Sequence, residues 1–362
     1  MSAVYCLVRG NNPLERVVRA LRQQNLPFPK DGVMSALSSD LSRADLGLSP
    51  DMYENLRKDT TIIIHSAWAV NFNLSTSSFE DQHIKGVENL VQLSLSVSSS
   101  IPAHLFFCSS VAVALATPGP ANIPEAPIYD LTAALPQGYA RSKLISEHIL
   151  RNAALDAGAR TRSLRIGQMV GDGERGLWND TEAIPLIIRS ALTLGVLPAL
   201  HETQSWLPVD IVASTILDLA GITTSRPPAS DFDTNLVYNL VNSNTFSWTD
   251  DLLPELQRSG LSFHVVPVNE WLQKLRDYQL NGGDPERNPA VKLLDHFQRT
   301  YSGTENKPKA ITFETKTAMN HSKALRDAPR IIENGYVKKF VRVWLENWKG
   351  EVGKGMDITS SG

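Results

Sequence analysis

The chain has 362 residues, with 35 Lys and Arg against 38 Asp and Glu, a net charge of −3 and no basic run, which argues against nucleic acid or an anionic membrane surface as its partner. Two cysteines and eight scattered histidines, without His-x-His or His-Glu-x-x-His spacing, offer neither a disulfide framework nor a metal site, so no metal is expected. No stretch has the apolar length of a membrane span and the N-terminus lacks the pattern of a signal peptide, so the expected setting is the cytoplasm and the expected partner a small molecule or a protein.

Short apolar runs alternate with helical patterns from residue 3 to about 166, the mark of a parallel sheet covered by helices. Strands are expected at 4–8, 33–37, 61–65, 104–109 and 162–166, and helices at 13–24, 50–56, 79–97 and 138–155. The first helix has a start signal in Asn12 as cap, Pro13 in the first turn and Glu15 reaching back. Five prolines between residues 116 and 137 predict a stiff irregular loop. Residues 1–170, with part of 208–242 returning, form a doubly wound α/β domain in this reading. Helical patterns at 181–194, 209–220 and 248–258 and a strand at 237–241 follow. Residues 171–207 and 243–349 read as a smaller, mostly helical substrate lobe. Turn composition marks breaks at 222–234, 281–290 and 302–309, and 350–362 reads as a disordered tail.

The chemistry lies in two segments. Phe106-Phe107-Cys108-Ser109-Ser110 is an apolar strand that ends in hydroxyls, and Gly138-Tyr139-Ala140-Arg141-Ser142-Lys143 places Tyr139 and Lys143 on one helix face. Ser110 would hold a carbonyl oxygen, Tyr139 would protonate it, and the Lys143 ammonium would lower the phenol pKa, with a nicotinamide supplying hydride. Either segment alone also reads as an ordinary turn or a chance pair. Cys6 and Cys108 read as small residues in buried strands.

A dinucleotide-binding sheet opens with a strand that runs into Gly-x-Gly-x-x-Gly, and here the opening strand ends instead in Arg9. Val4-Tyr5-Cys6-Leu7-Val8-Arg9 reads as the second strand of such a sheet, with Arg9 placed to meet an adenosine 2′-phosphate. The first strand, its glycine loop and its helix are expected to be missing, which would leave a gap in the sheet. Gly171-Asp172-Gly173-Glu174-Arg175-Gly176 has the literal glycine spacing, but its two carboxylates would repel pyrophosphate, and it reads as a turn into the substrate lobe.

These pieces together resemble the thioester reductase family, extended short-chain dehydrogenases found in fungal synthetase-like enzymes, aminoadipate reductases and carboxylic acid reductases. The resemblance rests on the segments above and on Ser39-Asp40-Leu41, Ile64-His65-Ser66-Ala67-Trp68-Ala69-Val70-Asn71-Phe72, Arg165-Ile166-Gly167-Gln168, Gly176-Leu177-Trp178-Asn179 and Trp206-Leu207-Pro208-Val209-Asp210. It implies an NADP(H)-binding Rossmann domain with a smaller C-terminal lobe, reducing an acyl thioester on a carrier protein to an aldehyde or alcohol. By position it implies Ser110, Tyr139 and Lys143 as catalytic residues. For the cofactor it implies Arg9 at the phosphate, Asp40 and Leu41 on the adenine side, Ala67 and Asn71 in the loop after the 61–65 strand, and Gln168 with Trp178 and Asn179 near the nicotinamide. The expected partners are a carrier-bound acyl thioester, its thiolation domain and an upstream synthetase. Set against this reading is a non-catalytic, truncated relative that acts as a binding or partner-dependent module. The missing loop has three readings: a natural start upstream of Met1, a degenerate product, or a partner that supplies it.

Overall fold

The computed structural model describes residues 3–30, 32–223, 236–301 and 311–354. The breaks expected at 222–234 and 302–309 fall almost wholly outside these residues, as does the tail beyond 354. The helix Tyr336–Lys354 carries regular structure into the segment assigned to that tail. The chain divides into two compact units, one of residues 1–167, 213–241 and 311–326, the other of 168–212, 242–310 and 327–362.

In the first unit, β1 (Val4–Arg9) crosses through α1 (Pro13–Gln23) to β2 (Met34–Ser39), and the two strands pair in parallel from Val4 opposite Met34 to Arg9 opposite Ser39. Pro13 does occupy the first turn of α1, but Asn12 does not cap it. Its backbone is left-handed at φ 55, so its side chain makes no capping bond, and Glu15 pairs with Arg19 at 3.0 Å instead of reaching back. The helix α2 (Pro50–Asp59) starts as the sequence rules prescribe, with the Ser49 hydroxyl accepting from Met52 N and Pro50 in the first turn.

Four further strands form a parallel sheet in the order Val237–Leu240, β6 (Thr161–Ile166), β4 (His104–Ser110) and β3 (Ile62–His65). β1 and β2 form a separate two-stranded piece, so the expected gap lies between β1 and β3. Tyr5, Leu7, Leu37 and Ile63 pack with Leu46, Leu56, Val87, Leu90, Leu105 and Phe107 in one cluster beneath α2 and α3 (Lys85–Leu95). The 79–97 helix begins with a 3-10 turn at Thr76–Phe79 and a π turn at Glu80–Ile84, which bury both Phe79 and His83.

The proline-rich loop is less irregular than expected. Its segment β5 (Ala121–Ile123) pairs in parallel with Ile311–Phe313, and Glu125 accepts from the backbone N–H of Ala318 at 3.0 Å and of Thr317 at 2.5 Å. These bonds draw residues 311–326 into the first unit rather than the C-terminal lobe.

The second unit packs around Trp178, Trp206, Trp248, Trp271, Trp344 and Trp348, all buried. The Gly171–Gly176 turn lies here, wrapped around its own carboxylate. Asp172 accepts from the backbone N–H groups of Glu174, Arg175 and Leu177 at 2.8–3.2 Å. A Cβ at Gly173 would meet the Tyr336 ring at 2.7 Å and one at Gly176 the Lys339 backbone at 2.8 Å. Its glycines therefore serve close packing, and its N–H groups are spent on Asp172 and, from Gly173, on the Asp210 carboxylate at 3.0 Å.

Candidate active site

Six of the seven residues of β4 are buried, and the strand delivers Ser110, half-buried, at its carboxyl end. The helix α4 (Gly138–Ala157) begins beside it because Gly138 carries no Cβ, which would lie 2.3 Å from the Leu74 carbonyl oxygen. Tyr139 is thereby brought to a side-chain hydrogen bond with Ser110, and the Phe72 ring stands edge-on to it at 5.4 Å. One turn on, Lys143 is 3 % exposed and donates from Nζ to the Cys108 carbonyl at 2.5 Å. The three catalytic candidates therefore converge.

Burial, rather than the lysine charge, dominates the titration of this group. It raises the Tyr139 phenol above its ordinary value, which the Ser110 hydrogen bond offsets only in part. The same desolvation lowers Lys143 to about 7. The expected lowering of the Tyr139 pKa by Lys143 does not occur: Nζ lies 5.9 Å from the Tyr139 ring centroid, held over Trp68 at 4.2 Å and Phe107 at 4.6 Å. His65 and His83 flank this box and stay neutral, lowered to about 3 and about 4 by burial first and nearby cations second. The Trp68 indole N–H is buried in it with no hydrogen-bond partner.

Lys143 makes stability depend on pH. Between about 7 and its ordinary 10.5 the unfolded chain binds a proton that the folded chain does not, so its contribution rises with pH across that window. Lys143→Met is expected to raise Tm at pH 7 and to flatten the parent's rise between pH 7 and 9. Identical slopes for parent and variant in thermal unfolding would contradict this.

The remaining candidates are scattered. Arg9 is exposed at the end of β1, where its charge acts on His83, and His83 in turn hydrogen-bonds the backbone of Ala67. Asn71 is exposed and turns its Oδ1 onto Asn73 N at 3.0 Å. The Asp40 carboxylate is taken up locally, accepting from the Ser42 hydroxyl at 2.7 Å and Gln82 Nε2 at 3.1 Å, which lowers its pKa. Leu41 packs against the core cluster while its carbonyl accepts from Asn89 at 2.7 Å. Gln168, Trp178 and Asn179 belong to the second unit, and there Gln168 donates to the Met169 carbonyl.

Sequence reading missed the support beneath the site. Glu147 takes a hydrogen bond from the Ser109 hydroxyl at 2.6 Å and a forked ion pair from Arg165, 2.7 Å at its shortest. Glu147 lies one turn beyond Lys143 on the same helix face, a signal the sequence does carry.

A dinucleotide fits this arrangement only in part. A reacting end would find a convergent hydroxyl, phenol and amine, and Arg9 offers an exposed guanidinium at the end of β1. No pyrophosphate cradle accompanies them among the described residues, because β1 leads through Gly10 to α1 and the Gly171–Gly176 turn is closed on Asp172.

Residues 1–216 match the family model of NAD-binding domains described as male sterility protein. The chain belongs to this family. Its relatives include a carboxylic acid reductase of Neurospora crassa, 32% identical over 317 residues that cover 86% of this chain and 29% of that protein. The chain spans under a third of the length of the first curated relatives it matches. Among solved structures it is similar to the terminal R domain of the myxalamid pathway, at TM-score 0.79 and 22% identity, covering 95% of this chain and 84% of that one. An archaeal thiolation-reductase di-domain follows at TM-score 0.72 and 18% identity, covering 96% and 71%. The fold is a Rossmann-type sheet, the family is one of NAD-binding domains, and its relatives include reductases. None of the described helices is long and apolar enough to cross a membrane.

Proposed function

We propose that the chain reduces an acyl thioester held on a carrier protein, using NADPH, and releases an aldehyde or, after a second reduction, an alcohol in the making of a secondary metabolite. The convergence of Ser110, Tyr139 and Lys143 carries this reading. The relatives lend it support: one similar structure is a thiolation–reductase pair, which makes a thiolation domain the natural donor here. The cofactor, when bound, supplies hydride to the carbonyl carbon. Ser110 would hold the carbonyl oxygen and Tyr139 would give it a proton as the C=O π bond breaks. Breakage of the C–S bond in the resulting thiohemiacetal then frees the thiol and the aldehyde. The Lys143 ammonium, close to the strand end, would favour the negative charge that develops on the carbonyl oxygen.

Arg9 is assigned to the 2′-phosphate, Ala67 and Asn71 to the cofactor's inner face, and Asp40 and Leu41 to the adenine side through their backbone, since the Asp40 carboxylate is already engaged. Gln168 would meet the nicotinamide. Calorimetric titration tests this assignment. NADPH is expected to bind about tenfold to hundredfold more tightly than NADH, a preference that Arg9→Ala removes. Equal affinities in the parent would refute the role of Arg9. The partial fit of the dinucleotide favours a second reading, a non-catalytic partner-dependent module. A folded chain that binds no NADPH would decide for it.

A further inference from the structure

Among the described residues the Lys143 ammonium forms no ion pair, although it is 3 % exposed. Its hydrogen bond runs to the Cys108 carbonyl, and two aromatic faces close over it, Trp68 at 4.2 Å and Phe107 at 4.6 Å from Nζ. None of the titratable groups that face it is a counter-charge in contact with it. On its own helix Glu147 attracts it without touching it, being committed to Arg165 and Ser109, and the Tyr139 phenol is neutral. Cys108 on β4 is held as a thiol, pushed up to about 11, while His65 at the end of β3 and His83 in the π turn are neutral imidazoles. Trp68 is fixed by its neighbours. It stacks on Phe79 at 6.3 Å, lies against His83 at 4.7 Å and meets the edge of Phe107 at 5.3 Å.

We propose that Trp68 is a positioning residue: with Phe107 it forms an aromatic cage that keeps the Lys143 ammonium protonated and seated at the end of β4, in the place a carboxylate would otherwise take. A ring face attracts the ammonium through its quadrupole and has no such hold on the neutral amine, so it opposes the desolvation that lowers Lys143. Tryptophan offers the strongest face of this kind. The indole N–H of Trp68 has no hydrogen-bond partner, so the ring face is the part of the side chain that the site uses. A carboxylate in contact would hold the ammonium as well, but its own charge would cancel much of the field that the ammonium exerts on a nearby oxygen. A neutral ring leaves that field intact. What the cage does for catalysis rests on the role proposed above for Lys143 in thioester reduction.

The experiment replaces Trp68 in the full chain, by nonsense suppression, with tryptophans that carry successively more fluorines on the ring. Fluorine drains the quadrupole and nearly preserves the shape of the side chain, so the packing on Phe79, His83 and Phe107 is kept. The titration of Lys143 is followed in each protein by the NMR signal of its side-chain carbon next to Nζ, assigned with Lys143→Met. Its midpoint is expected to fall stepwise along the series, by about one pH unit at the most fluorinated ring, a tenfold loss of proton affinity. A midpoint that stays level across the series, with every protein folded by circular dichroism, would overturn the proposal, and so would a rise. Single-turnover thioester reduction by the same proteins is scored separately. The decline in rate toward alkaline pH is expected to set in earlier with each fluorine. A Lys143 midpoint that moves while the rate profile stays in place would remove Lys143 from the proposed reaction and leave the cage standing.

Discussion

Tyr139→Phe is expected to lower thioester reduction by about two to four orders of magnitude while the fold is kept. In the proposed mechanism the phenol gives its proton to the oxygen that Ser110 would hold, and burial keeps it protonated throughout the neutral range, since its pKa is raised rather than lowered. Phenylalanine preserves the ring that stands against Phe72, so only a hydrogen bond to Ser110 is lost, worth about 1 kcal/mol. Single-turnover rates with a carrier-bound thioester, beside denaturant midpoints, separate the two effects. Because the phenol titrates well above neutrality, any fall in rate near pH 7 belongs to Lys143, whose ammonium is lost through about 7. The parent's rate is therefore expected to decline above that pH, and an unchanged rate in Tyr139→Phe would remove the proton-donor assignment altogether.

The parts of this molecule that were legible in the sequence are those set by local pattern. Apolar runs located β1, β2, β3, β4 and β6 to within two residues, because a short apolar run bounded by turn residues declares a strand locally. The break between β1 and β3 was legible as well, from the absence of a glycine turn. Local pattern fails where distant contacts decide. β5 exists because Ile311–Phe313 arrives to pair with it, and nothing in 116–137 announces that partner. Asn12 has the right residue type for a cap and the wrong backbone, fixed by how Gly10 and Asn12 turn the chain into α1. At the site the same limit applies to electrostatics. The spacing of Tyr139 and Lys143 is visible, but the burial that raises one pKa and lowers the other depends on Trp68 and Phe107, from two other elements.

Glu147→Ala is expected to be the most destabilising single change near the site, at about 3–5 kcal/mol. The Arg165 side chain is fully buried on β6, the strand between β4 and Val237–Leu240, and Glu147 is its counter-charge. The alanine leaves a guanidinium without water or carboxylate around it, and it also strands the Ser109 hydroxyl. Ser109 precedes Ser110 at the strand end and follows Cys108, whose carbonyl holds Lys143, so loosening there displaces two of the proposed catalytic groups as well as the fold. Removing both charges is a different matter. Glu147→Leu with Arg165→Met takes away the penalty of the unpaired cation, and the pair should recover a large part of the loss. Guanidinium unfolding of the two single variants and the double gives the coupling directly. A loss below about 1 kcal/mol for Glu147→Ala would mean that water reaches Arg165, and that the end of β4 is held by its ladder to β3 and β6 rather than by the carboxylate beneath it.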